Sequence, residues 1–426
     1  MALSIVITFI LGYLAITLEH SIKVNKAATA LVTGVLCWTL YVLFQPDKHL
    51  VTEQLMEHLG EVSGILFFLL SAMTIVELID AHDGFQIITE RIKTKSALKL
   101  LWIIAIITFF MSALLDNLTT TIVIVSLLRK LISDKERRLF FVGITIVAAN
   151  AGGAWSPLGD VTTTMLWIGG QITALRIIQD VFIPSVFCLL VPLIIVSFKM
   201  KGNFQPVEKN PNHITKPAFE RKFVFLLGIG ILIFVPLFKM LTGLPPFMAI
   251  LLGLGVMWII IEIFHNQRET PDKGNGNLTV IYAIRKIDTP SILFFLGILL
   301  SISALQATGQ LGQLAQWLTN TIKNDTMIVA SIGLLSSILD NVPLVAATQA
   351  MYGLDQYPVD HFFWEFLAYA SGTGGSALII GSAAGVAAMG MEKITFFWYL
   401  KRITWLALIG YFTGALVFLL QYNILH

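Results

Sequence analysis

Charge is what this chain has least of. Charged residues fill 13% of its 426 positions, against roughly 25% in an average globular chain, while hydrophobic residues reach 56%. That shortage excludes an ordinary soluble domain and points to a polytopic membrane protein whose partner is membrane lipid. A net charge of +2, with no basic cluster, excludes nucleic acid as a partner. Cysteine is nearly absent as well. Cys37 and Cys188 each fall in an apolar run and make neither a disulfide framework nor a zinc site. No nucleotide-binding motif occurs, so we expect no cofactor and no enzymatic site. Met1 to Glu19 lacks the basic start and small-residue cleavage site of a signal peptide, and is read as a first span.

What the chain does have is apolar windows of about 20 residues. They fall at 3–19, 27–45, 63–80, 139–172, 177–198, 223–239, 247–264, 290–308, 362–390 and 403–421. Two more, 100–128 and 326–353, do not fit as single spans. Each has an Asp-Asn pair near its centre, Asp116-Asn117 and Asp340-Asn341, and enough residues for two short arms. Each is therefore read as a re-entrant hairpin. The positive-inside rule agrees. With an external N-terminus, the cytoplasmic side collects Lys23, Lys26, Arg91 to Lys99, Arg129 to Arg138, Lys199 to Lys222, Arg268 to Lys286 and Lys393 to Arg402, leaving only Lys48, Arg176, Lys239 and Lys323 outside.

An internal repeat is visible in the letters. Ile65 to Leu69 returns as Ile292 to Leu296, Asp116-Asn117 as Asp340-Asn341, and Gly152-Gly153 as Gly374-Gly375. Three features in one order at nearly one offset mark a duplication. Each half holds three spans, an amphipathic segment (84–98 and 309–322), a hairpin, a broken helix and a last span. Five crossings per half invert the second half. The expected fold is thus all-α, an inverted-topology repeat with two re-entrant hairpins and two broken transmembrane helices. The first repeat is 1–198 with hairpin 100–128 and broken helix 139–172. A cytoplasmic linker follows at 199–222, and the second repeat is 223–426 with hairpin 326–353 and broken helix 362–390. Both termini are expected outside.

Acids at membrane depth are expensive and mark transport sites. The first broken helix reads Asn150-Ala-Gly-Gly-Ala-Trp-Ser-Pro-Leu-Gly-Asp160-Val-Thr-Thr-Thr164, where Pro157 and the glycines break the helix and free its carbonyls. Its counterpart, Ser371-Gly-Thr373-Gly-Gly-Ser376 onward to Ser382, has no acid and no proline. Asp116, Asn117, Thr119, Thr120, Asn150, Asp160, Thr162, Thr163, Asp340, Asn341, Ser371 and Thr373 are the candidate ligands of a small cation, all hard oxygen donors. These segments contain no basic residue, so a metal cation and H⁺ are expected to compete for the carboxylates. The plainer alternative makes the acids structural caps of helix N-termini. Glu77 and Asp80 are read as interfacial, with a proton path as the alternative; Glu61, Glu262 and Glu365 are read in the same way near span ends, and His82 and His361 as solvated at interfaces.

These motifs resemble the NhaD-type sodium/proton antiporters of the ion transporter superfamily, through Asp116-Asn-Leu-Thr-Thr120, the 150–164 glycine motif, Asp340-Asn341 and Gly372-Thr-Gly-Gly-Ser376. The resemblance implies exchange of Na⁺ or Li⁺ for H⁺, an elevator-like movement, a homodimer and a place in the cell inner membrane. Dicarboxylate carriers of this fold tend to have Ser-Asn-Thr at the hairpin tips. This chain has Asp-Asn there, which argues against an anionic cargo. Intramembrane aspartyl proteases, with two membrane-embedded aspartates, are the remaining alternative; Pro157-Leu-Gly-Asp160 matches their motif loosely.

Overall fold

The computed structural model describes residues 2–89, 94, 96–198, 200, 202, 218–266 and 279–425. The chain is all-helical there, and eight helices are long and apolar enough to cross a membrane. It is a polytopic membrane protein. The first part runs Ala2–Thr17, Glu19–Ile22, Lys26–Phe44, Lys48–Ala81, Gln86–Thr89, Ala97–Leu115, Asn117–Leu131, Lys135–Ala154, Val161–Ile168 and Ala174–Ser197. The second runs Ala218–Thr242, Pro246–Asn266, Val280–Lys286, Thr289–Ala307, Gln310–Ile322, Asp325–Leu335, Asn341–Met351, Phe362–Gly374, Ala383–Glu392, Phe396–Arg402 and Thr404–Leu425. Most of the expected linker, 203–217, lies outside the described residues, as do 90–93 and 95 of the expected amphipathic segment 84–98.

Both stretches with Asp-Asn pairs break ahead of the asparagine, the first at Asp116 itself and the second over 336–340. In the first, Ala97–Leu115 ends at Asp116 and Asn117–Leu131 begins beyond it. The leading arm, 19 residues long, is longer than the short arm expected from the sequence. The start of that arm lies near the start of Lys135–Ala154, the helix that follows the pair. Ala97 N–H donates to Gly202 O at 3.1 Å, and Gly202 sits beside the Arg137 guanidinium. Arg138 and Arg129, the latter in the last turn of the second arm, hold opposite oxygens of Glu392 at 3.0 and 2.6 Å. In the second stretch, Asp325 at the start of its first arm lies near Tyr352 at the end of its second.

The broken helices form the core. Phe141 to Ala154 and Phe363 to Gly374 are buried without interruption, because polar side chains are rare there and the glycines admit close neighbours. A Cβ on Gly152 would strike Phe109 O, and one on Gly374 would strike Gly333 O; each comes from the leading arm of its own half. Around this core, Lys26–Phe44 and Thr289–Ala307 run side by side in the same direction, with Trp38 Nε1 donating to Leu300 O at 2.9 Å.

One helix exceeds the reading of the sequence. The window 63–80 is only the end of a 34-residue helix, Lys48–Ala81, about 51 Å long at 1.5 Å per residue, well beyond a hydrocarbon core of roughly 30 Å. Its first half is polar and largely exposed, so hydropathy alone could not find it.

Candidate functional site

Asp160 stands at the convergence of four segments. It is the N-cap of Val161–Ile168, and its Oδ1 accepts from Thr162 N–H and Thr162 Oγ1, both at 3.0 Å. Its Oδ2 accepts from Asn117 Nδ2 at 2.8 Å, and Asn341 Nδ2 lies 3.5 Å from both oxygens. The asparagines of both Asp-Asn pairs thus address one buried carboxylate, which is 2% exposed.

Asn150 continues the network. Its Oδ1 accepts from Asn117 Nδ2 at 3.1 Å, while its Nδ2 donates to Ser376 Oγ and Ser382 Oγ, each at 2.9 Å. Ser382 also caps its half-helix, accepting from Gly385 N–H at 3.2 Å, in the place that Asp160 takes in the first half. Neither serine was among the expected ligands, although both stand in the quoted glycine segment and could have been found by carrying the repeat through it.

Asp116 turns the chain at φ 69°, a conformation that strains any non-glycine residue by about 1–3 kcal/mol. Its carboxylate accepts from Thr119 N–H at 2.8 Å and Thr119 Oγ1 at 2.9 Å. Asp340 caps its own helix through Val342 N–H at 3.2 Å. All three acids are therefore helix caps, and the capping role does not exhaust them, because all three line one cavity together with Asn117, Asn341 and Thr164. They line it without closing on a single point: among the described residues, no three acidic, histidine or cysteine side chains stand close enough to hold a metal ion together.

The other expected ligands are spent elsewhere. Thr163 Oγ1 faces Ala154 O at 3.4 Å, Ser371 Oγ donates to Leu367 O at 2.7 Å and Thr373 Oγ1 to Tyr369 O at 2.6 Å. Thr120 is fully buried, and its hydroxyl has no hydrogen-bond partner among the described residues.

Two expectations need correction. The segments that carry the acids hold no basic residue, yet Lys26 Nζ lies 3.2 Å from Asp340 Oδ2. The pair spans 314 residues, so no local motif could show it. The one hint was electrostatic, since a cation in the first turn of a helix opposes the helix dipole. Glu365 and His82 were read as interfacial, and both are buried. Glu365 is 0% exposed, with Arg176 Nε at 3.8 Å. His82 is held by Leu78 O at 2.8 Å and Glu220 at 3.4 Å.

The citrate-transporter family profile matches residues 7–364. The chain is similar to "Sodium/proton antiporter 1" of Arabidopsis thaliana, 48% identical over 98% of this chain and 72% of that protein. It is 46% identical to "Sodium/proton antiporter 2" of the same plant, over 97% of this chain and 98% of that one. It is also similar to "Na(+)/H(+) antiporter NhaD" of Vibrio cholerae, at 30% identity over 97% of this chain and 90% of that protein.

Proposed function

The chain belongs to the citrate-transporter family, and we propose that it works as an NhaD-type antiporter, carrying Na⁺ in exchange for H⁺. The observation that carries the reading is the buried Asp160 carboxylate, addressed by amides from both Asp-Asn pairs and lining a cavity with two further acids. A cavity with three carboxylates and one ammonium attracts a cation and repels citrate. Sodium/proton exchange in the named relatives supports the same reading.

Asp160 and Asp116 bind Na⁺ or H⁺ in turn. An uncompensated carboxylate is costly to carry through the bilayer, so the empty site does not cross, and either ion alone makes it mobile. Coupling follows from that constraint. Li⁺, another small hard cation, uses the same oxygens.

The two Asp-Asn pairs act as tips of re-entrant hairpins in an inverted repeat, both termini lie outside, and two copies pair in the inner membrane. The clustering of Lys and Arg on one side supports the orientation. Ala97 and Arg137, which flank the first helix pair, both lie beside Gly202, and this supports the hairpin. The resemblance to the antiporters supports the dimer.

The test is purified protein in liposomes, with Na⁺, Li⁺ and citrate offered across an imposed proton gradient. Dissipation by Na⁺ with no citrate uptake is expected. Citrate uptake without a sodium response would overturn the proposal.

A further inference from the structure

Among the described residues lining the central cavity, Lys26 is the one base beside Asp116, Asp160 and Asp340. Its ammonium is 3.2 Å from Asp340 Oδ2 and 4.3 Å from the centroid of the Phe294 ring. Both contacts draw it inward, toward the second helix pair and away from the lipid headgroups to which a loop lysine would normally snorkel. Local electrostatics do not favour this place. Lys26 opens its helix directly after the N-cap Asn25, where the helix end carries partial positive charge. Its position is held by what lies across the cavity.

The cavity's acids are unequal in consequence. Asp160 receives neutral amides and hydroxyls, Asp116 receives the Thr119 hydroxyl and backbone N–H groups, and, among the described residues, Asp340 is the one of the three that meets a charged partner. Lys26 and Asp340 are each less than a third exposed, at 29% and 22%, so the pair is screened less than a surface pair. Other ionisable groups nearby are Glu19, whose carboxylate accepts from Lys26 N–H at 3.2 Å, and Tyr13, which lies near Asp340.

We propose that Lys26 is a resident counter-cation that neutralises Asp340, so that Asp116 and Asp160 alone are exchanged between Na⁺ and H⁺. The inference rests on the exchange reading above. It divides the labour between the halves: the first supplies both cargo carboxylates, while the second supplies the Asn341 amide and an acid already answered by lysine. Two carboxylates, rather than three, then need an ion from solution. Removing either partner strands the other's charge, an expensive state at depth, whereas removing both strands nothing.

The experiment compares Lys26→Met, Lys26→Arg, Asp340→Asn and the double variant Lys26→Met/Asp340→Asn in proteoliposomes. Sodium-driven proton movement, membrane abundance and thermal midpoint are measured for each. The single neutral variants are expected to lose at least about tenfold in exchange and to melt earlier. Arginine, which keeps the charge, is expected to retain most of the activity. The double variant is expected to recover to within about threefold of the native protein, since paired residues compensate where independent ones add. A double variant as inactive as Asp340→Asn would overturn the proposal by making Asp340 a cargo ligand. So would a Lys26→Met protein indistinguishable from the native one, or a double variant absent from the membrane. Failure of the exchange reading looks different. There the native protein itself moves no protons in response to Na⁺, and the thermal midpoints still report whether the pair exists.

Discussion

Replacing Asp160 separates its charge from its capping role. Asparagine is about as good an N-cap as aspartate, and its side-chain carbonyl can keep the bonds from Thr162 N–H and Oγ1, now 3.0 Å long. What Asp160→Asn cannot keep is Oδ2, which accepts from Asn117 at 2.8 Å; an amide group there sets donor against donor. The stability cost is that of one unsatisfied buried group, about 1–3 kcal/mol. Asp160→Ala loses the cap too, a further ~0.5–2 kcal/mol. The two variants therefore differ in thermal midpoint. They agree in transport, because neither has a carboxylate. Losing a charge-assisted contact worth about 1.5–3 kcal/mol weakens Na⁺ binding by roughly ten- to over a hundredfold, and the exchangeable proton goes with it. The assay is the initial rate of Na⁺-induced collapse of a proton gradient in everted vesicles, normalised to protein in the membrane. Exchange by Asp160→Asn with native sodium half-saturation would refute the reasoning.

Other outcomes follow from particular contacts. Glu392 is buried, which works against its charge, yet the Arg129 and Arg138 guanidiniums outweigh burial and hold its carboxyl below the usual range. A depressed carboxyl contributes above its unfolded pKa and fades only as pH falls through the folded one, so Glu392→Gln is expected to lower the thermal midpoint equally at pH 7 and pH 9. Arg176 stands 3.0 Å from Asp180 and 3.8 Å from buried Glu365; Arg176→Gln is expected to lower the midpoint, and adding Glu365→Gln to recover part of it. Gly152→Ala and Gly374→Ala drive a methyl into the Phe109 and Gly333 carbonyls and are expected to reduce folded protein sharply. Gly60→Ala, in a helix with open space around it, is expected to be neutral or to gain up to about 1 kcal/mol.

The sequence revealed what depends on short range. Hydropathy located the long apolar helices, and the Asp-Asn pairs and glycines marked where helices break, because breaking a helix is a local matter of caps and backbone freedom. The convergence of Asn117, Asn150 and Asp160 was legible from their shared motifs. Lys26 was not, because its meaning lies in a contact 314 residues away and a lysine beside a loop has an ordinary explanation. Glu365 and His82 failed for a related reason: both stand near the ends of apolar windows, and only packing against Arg176 and Glu220 shows which face of the helix is covered. The polar half of Lys48–Ala81 escaped because hydropathy detects lipid contact, not helicity.

The two proposed repeats differ in charge, and the difference bears on how many ions cross. Asp160 and Ser382 occupy matching cap positions, and Asn150 reaches across to bind the serine. An acid at 382 would have set a carboxylate against Asn150 and given the core one more charge to neutralise before moving. A serine hydroxyl caps the half-helix equally well and brings no charge. The one second-half acid among the residues lining the cavity, Asp340, is 22% exposed and within reach of Lys26. Both departures from symmetry act in one direction, reducing the number of carboxylates that solution ions must answer and concentrating ion choice on the first half, where Asp160 is the most deeply enclosed.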